Sequence, residues 1–195
     1  MIPVLILAAG ASSRMGGRDK LMEDVGGVPL LRRQIDIAAG VGAVYVALPA
    51  ADHPRMAALV GTRASPLIAQ NAADGMGATL RDAVAQLPVC GAFMVLLGDL
   101  ISLEKSDLLD VLHLHRTEPD RITWRGATPA GKPGHPIIFH ASLRPQFGTL
   151  NGDRGADVIA RAYVDQTSLC RFADDRALHD LDTPADWAAW HASQT

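Results

Sequence analysis

The sequence predicts a three-layer, Rossmann-like α/β fold: a mostly parallel, twisted sheet with helices on both faces. Three observations carry this expectation. Apolar runs of strand length alternate with longer stretches of helical period, the pattern of βα units. Aromatic residues make up only 5% of the 195 residues while hydrophobic residues make up 48%. The core is therefore built mainly from Ala, Val, Leu and Ile, which with 18 glycines suits helices packed closely on a sheet. The first apolar run also ends in glycine, as a buried strand feeding a loop does.

Residues 2–9 read as that first strand. Pro29 opens a helix over 30–39 that Gly40 closes, following the preference for proline at the first turn and glycine past the end. A second strand follows at 43–48, rich in β-branched and apolar residues. Asp52 is placed to cap a short helix running to residue 60. Residues 66–69 form a weaker strand, 79–86 a helix, and 92–97 a strongly apolar fourth strand. Ser102 is placed to cap a helix over 103–115. After Glu118 the pattern changes. Short strands at 121–125 and 137–139 flank the Gly/Pro-rich stretch 126–136, as a hairpin or a long loop. Helical stretches follow at 141–147 and 156–162, then late strands at 168–172 and 179–181. Thr183 as cap, Pro184 at the first position and Asp186 three residues after the cap start a last helix through 191.

Composition excludes several classes. A chain this apolar is not disordered. With 18 Lys+Arg against 21 Asp+Glu, and a net charge of -3, it lacks the basic balance of a nucleic-acid binder. No run of about 18 apolar residues marks a membrane span, and residues 1–10 lack the basic start of a secretory signal. Cys90 and Cys170 are far apart and form neither a disulfide framework nor a zinc motif; reduced core cysteines fit a cytoplasmic protein. His113 and His115 do not share a helix face and read as structural. Trp124, Trp187 and Trp190 read as packing residues, the last two on one face of the final helix.

The informative stretch is the loop Leu7-Ala8-Ala9-Gly10-Ala11-Ser12-Ser13-Arg14-Met15-Gly16-Gly17-Arg18-Asp19-Lys20-Leu21. Small residues from Ala8 to Ser12 let backbone approach a ligand, and exposed N–H groups there bind anionic oxygens. Arg14 and Lys20 add cations. This is a phosphate-site pattern at the carboxyl end of a strand, with neither the Walker A nor the G-x-G-x-x-G spacing. Asp99 falls just past the apolar strand 92–97, at the same edge of the sheet. Asp180 and Asp182 alternate onto one face.

The loop resembles the L-A-A-G-x-S-x-R-M-G-x-x-K-L signature of the nucleoside-triphosphate transferase superfamily. Within it, the chain is most similar to the MobA-like group and its molybdenum cofactor cytidylyltransferase branch. Further segments match in order: Asn71 with Gly75-Met76-Gly77-Ala78-Thr79-Leu80, Leu97-Gly98-Asp99, Gly134-His135-Pro136, Gly152-Asp153-Arg154-Gly155-Ala156, and Asp180-Leu181-Asp182-Thr183-Pro184-Ala185-Asp186. Two departures stand out. Leu100-Ile101 replaces the usual Met-Pro after the aspartate, and Thr79 replaces a serine.

The resemblance implies a nucleotide-diphospho-sugar transferase-like domain over 1–195, with a nucleotide-binding half, 1–118, and an acceptor-binding half, 119–195. It implies Mg²⁺-dependent transfer of CMP from CTP to the molybdopterin form of molybdenum cofactor, with pyrophosphate leaving. Lys20, Arg14 and Asp99 would be catalytic, and Asp99 and Asp182 would hold the metal. Leu7, Ala8, Ala9, Gly10, Ser12, Lys20, Gln70, Asn71, Gly75 and Thr79 would bind the nucleotide, the Ala8-Ala9-Gly10 form leaning towards cytidine. Gly134, His135 and Asp153 would serve the acceptor, His135 from a loop. Two other readings stay open: guanylyl or other nucleotidyl transfer to a different small phosphorylated acceptor, and a non-catalytic cofactor-binding chaperone for a client molybdoenzyme. Leu100-Ile101 is the feature that favours the chaperone.

Overall fold

The computed structural model describes residues 2–193. Met1, which the opening apolar stretch includes, lies outside them, as do residues 194–195 of the expected domain. A seven-stranded sheet is built from β1 (Val4–Leu7), β4 (Val44–Leu48), β5 (Ser65–Ile68), β6 (Ala92–Leu97), β7 (Thr123–Ala127), β8 (Pro133–His140) and β9 (Thr167–Arg171). Its order is β5-β4-β1-β6-β8-β7-β9. Pairing is parallel except around β8, which opposes both β6 and β7. Strands β2 (Asp24–Val25) and β3 (Val28–Pro29) form a separate small hairpin.

Side chains alternate between two apolar layers, as the pleat requires. Val4, Ile6, Met94 and Leu96 face α1 (Leu30–Ala39), α3 (Lys105–Thr117) and α6 (Pro184–Ser193). Leu5, Phe93 and Val95 face α2 (Met76–Gln86), α4 (Arg144–Phe147) and α5 (Asp157–Arg161). Burial on both faces explains why β6 is apolar throughout. Trp124 and Trp187 are buried in the first layer, with Trp190 against Trp187. His115 packs edge-on to the Trp124 ring at 4.4 Å, a structural role. Both cysteines are free and half-buried.

Several local expectations are corrected. The cap of the segment after β4 is His53, whose ring nitrogen accepts from the Arg55 amide; Asp52 is not used, and the segment Pro54–Leu59 is a 3₁₀ helix. Ser102 does not cap α3. Glu104 and Asp107 form a reciprocal capping box there, while the Ser102 hydroxyl lies 2.5 Å from His179 Nδ1. The stretch 126–136 resolves as the β7–β8 hairpin. Residues 179–181 contribute only a single bridge, Leu100 with Asp180. The start of α6 is as expected: Asp186 accepts from the Thr183 amide at 2.8 Å and its own amide donates to the Thr183 hydroxyl.

The strand order positions the site. From β1 the chain moves outward to β4 and β5; from β6 it moves to the opposite side, to β8 and β7. Between β1 and β6 the connections part, and the crevice at their carboxyl ends is where open α/β sheets bind ligands.

Candidate active site at the parting of β1 and β6

The loop after β1 is anchored from below by Met15 and Leu21, both buried. Ser12 adopts the left-handed conformation at φ 51°, uncommon for a residue with a Cβ. Among the described residues, no backbone carbonyl accepts from the amides of residues 9–12. Ala9, Gly10, Ala11 and Ser12 line the cleft, and a run of amides without backbone acceptors is the arrangement that takes anionic oxygens.

Arg55 braces this loop. It is 2% exposed, and its guanidinium donates to the Ala8 carbonyl (2.7 Å), to both Asp19 carboxylate oxygens (2.7 Å each) and to the Ser12 hydroxyl (3.1 Å). Burial alone would raise the Asp19 pKa; the hydrogen bond and charge of Arg55 reverse that and hold it below the ordinary value. Asp19 also accepts from the Leu21 amide, which sets the turn carrying Lys20.

Lys20 spans the crevice. Its Nζ lies 2.6 Å from Asp99 Oδ2 and 2.8 Å from Asp182 Oδ1. Arg14 reaches Asp182 Oδ2 at 2.7 Å. Burial disfavours the Lys20 charge, but the two carboxylates outweigh it and its pKa is raised. Asp180 completes an acidic group: one oxygen from each of Asp99, Asp180 and Asp182 lies within 4.8 Å of the others. Burial, then the charges of Asp99 and Asp182, push the Asp180 pKa up. Asp99 Oδ1 is buried with no hydrogen-bond partner among the described residues. Three carboxylates with an unpartnered buried oxygen are a hard-oxygen donor set that fits a divalent cation.

Leu7, Ala9, Gly10, Ser12, Arg14, Lys20, Gly75, Thr79, Asp99, Asp153 and Asp182 line one cleft of about 1430 Å³. Ala8 lies beneath it, buried, with its carbonyl turned to Arg55. The Gly75-Met76-Gly77 and Gly152-Asp153 segments abut. Gly75 has φ 105°, and a Cβ there would meet the Gly152 carbonyl oxygen at 2.5 Å and Asp153 Oδ1 at 2.7 Å. The Gly77 amide donates to the Gly152 carbonyl at 2.7 Å. Glycine is needed because two loops share one wall of the cleft.

Four expected residues sit elsewhere. Gln70 and Asn71 are exposed and do not line the cleft; the Asn71 amide groups turn to Asp82 at 2.9 and 3.0 Å. Gly134 and His135 lie on β8, not in a loop. Gly134 is packed against the Ala177 backbone, and its carbonyl accepts from Arg125. His135 is turned to the Val95 carbonyl, 3.4 Å from Nδ1; burial, then the Arg125 charge, lowers its pKa to about 4. Leu100 and Ile101 are each 2% exposed, and the Leu100 carbonyl accepts from Gln34 at 2.7 Å. They hold the segment after Asp99 to the core. Sequence reasoning missed Arg55 and Asp19; the only trace of Arg55 is a cation beside the apolar run Met56-Ala57-Ala58-Leu59.

No curated protein matches the sequence. Rv0371c from Mycobacterium tuberculosis H37Rv superposes with a TM-score of 0.79 at 24% identity over 97% of each chain. The complex of Rv0371c with manganese superposes at 0.75, with 21% identity and 98% of each chain covered. CMP:2-keto-3-deoxy-manno-octonic acid synthetase complexed with CTP superposes at 0.74, with 17% identity and 100% of each chain covered. At these identities the likeness is one of fold. The model of the MobA-like NTP transferase domain matches residues 4–167, from β1 to the start of β9. The chain belongs to the MobA-like NTP transferase family.

Proposed function

We propose that this nucleotidyltransferase-family chain transfers CMP from CTP to the molybdopterin form of molybdenum cofactor, releasing pyrophosphate, in a Mg²⁺-dependent reaction in the cytoplasm. The observation that carries the reading is the bridge of Lys20 between Asp99 and Asp182, which brings the glycine-and-cation loop and the acidic group into one cleft. The CTP-bound synthetase among the structural neighbours and the Ala8-Ala9-Gly10 form of the loop support cytidine. The cleft of about 1430 Å³ is larger than the roughly 300–1,000 Å³ of a usual small-molecule site, which suits two substrates side by side. The proposed division has residues 1–118 holding the nucleotide and 119–195, with Asp153, meeting the acceptor.

Little covalent chemistry is asked of the protein in such a reaction; positioning and electrostatics carry it. The amides of residues 9–12 would hold phosphate oxygens. Lys20 would leave its carboxylates for the β- and γ-phosphates and stabilise the departing pyrophosphate. Arg14, exposed at the rim, would bridge two oxygens as lysine cannot. Asp99, Asp180 and Asp182 would hold Mg²⁺, which neutralises triphosphate charge when bound. Manganese in the Rv0371c complex supports a divalent ion in this fold. The acceptor phosphate would attack the α-phosphorus in line.

Burial of Leu100 and Ile101 leaves the Asp99 carboxylate in the cleft, so the feature that favoured a non-catalytic chaperone does not blunt the acidic group. Calorimetric titration with the four nucleoside triphosphates plus Mg²⁺ tests the reading. CTP binding most tightly supports it; GTP preference, or no binding, contradicts it. Among the described residues no helix is long and apolar enough to cross a membrane.

A further inference from the structure

We propose that Arg55 is the positioning residue for the phosphate-facing loop, and that it sets nucleoside-triphosphate affinity without touching the acidic group. The proposal rests on the nucleotidyltransferase reading and assigns a role to a residue outside every recognised motif segment.

A buried guanidinium is expensive unless its donors are satisfied, and Arg55 is 2% exposed. A contact that served only to pack two turns together would be served by an apolar side chain. Among the described residues, the four side-chain hydrogen bonds of Arg55 instead go to one loop, at three separated points. Ala8 is the first residue past β1. Ser12 is the left-handed residue at φ 51°, a conformation that persists where surroundings over-determine it. Asp19 immediately precedes Lys20. The bracket thus fixes both ends and the bend of the span whose amides at 9–12 find no backbone acceptor among the described residues. Ser12 also donates to Asp19 at 3.3 Å, closing the ring of contacts.

Arg55 is itself fixed from behind. Its amide donates to His53 Nδ1 at 3.2 Å, and the turn Pro54–Leu59 buries Ala58 and Leu59 in the core. Arg55 also lines the cleft, but it is 2% exposed and its guanidinium bonds go to the loop; rigid support of a binding loop from behind is how affinity is gained through preorganisation. Lysine cannot replace it: a single ammonium cannot fork across Asp19 while reaching Ala8 and Ser12.

The test compares wild type, Arg55→Lys and Asp19→Asn by calorimetry with CTP and Mg²⁺, by Mn²⁺ titration of the free protein, and by steady-state kinetics. Arg55→Lys is expected to weaken CTP binding at least tenfold and raise KM by a similar factor. Its kcat should fall by less than KM rises, because the amides of residues 9–12 would hold the phosphates in ground and transition states alike. Mn²⁺ affinity should stay within twofold. Asp19→Asn should lose CTP affinity in the same direction, and the double variant should be no worse than Arg55→Lys, showing one shared interaction. If Arg55→Lys does not fold, Asp19→Asn decides alone. CTP affinity within threefold of wild type in a folded variant overturns the proposal. So does a parallel fall in Mn²⁺ affinity, which marks general loosening. Wild type that binds no nucleoside triphosphate overturns the functional reading beneath it.

Discussion

Replacing Lys20 by methionine should make the free protein bind a divalent cation more tightly while destroying transfer. The ammonium sits 2.6 Å from Asp99 Oδ2 and 2.8 Å from Asp182 Oδ1, so it occupies the oxygens that a metal would use. Side chains of Lys20, Asp99 and Asp182 are only 16%, 19% and 21% exposed, so screening by water is partial. Two unit charges about 4 Å apart interact by about 1 kcal/mol in water and about 4 kcal/mol at an effective dielectric of about 20. Removing the competing cation should therefore favour metal binding by about 1.5–3 kcal/mol, or roughly 10–100-fold. Methionine keeps the length and apolar stem of lysine, so the turn at Lys20–Met22 should survive. Mn²⁺ titration of nucleotide-free protein, followed by electron paramagnetic resonance, reads the affinity directly. A thermal melt checks the fold. Unchanged or weaker Mn²⁺ binding by a folded Lys20→Met protein would refute the competition argument. In wild type the same logic expects metal and CTP to strengthen each other's binding, because a triphosphate draws Lys20 off the carboxylates.

Three other outcomes are expected. Asp99→Asn should abolish metal-dependent transfer and keep the fold; near wild-type turnover would remove Asp99 from the metal site. Gly75→Ala should destabilise by more than about 1 kcal/mol and weaken CTP binding, because a Cβ at φ 105° meets the Gly152 carbonyl at 2.5 Å; urea melts and calorimetry read both. His135 is held neutral, with a folded-state pKa of about 4 against about 6.5 when unfolded. The unfolded chain then takes up the proton first, so stability falls as pH drops from 6.5 towards 4. The loss should be about 2 kcal/mol by pH 5, and urea midpoints of wild type and His135→Gln at pH 7 and pH 5 should show it smaller in the variant.

What the sequence made legible follows from where the determinants are local. β6 was readable end to end because burial on both faces makes it apolar throughout. α1 was readable from its apolar period and Gly40, and the start of α6 because Thr183 and Asp186 bond only to each other's neighbourhood. Meeting of Lys20 with Asp99 was anticipated because both follow parallel strands that proved adjacent. Tertiary competition defeated other readings. Ser102 has the chemistry of a cap but is engaged by His179, leaving the cap to Glu104. Asn71 sits in a matched segment, yet Asp82, one helix away, captures its amide. His135 belongs to a matched tripeptide but pairs into β8 beside β6, which no local pattern announces. Arg55 was invisible because its partners are 36 to 47 residues away.

The most direct measurement is pyrophosphate release from purified protein supplied with Mg²⁺, molybdopterin-form cofactor and each nucleoside triphosphate in turn. One pyrophosphate per acceptor consumed, fastest with CTP and lost in the Asp99→Asn protein, is the expected result. Bound cofactor with no pyrophosphate from any of the four nucleotides would contradict the account.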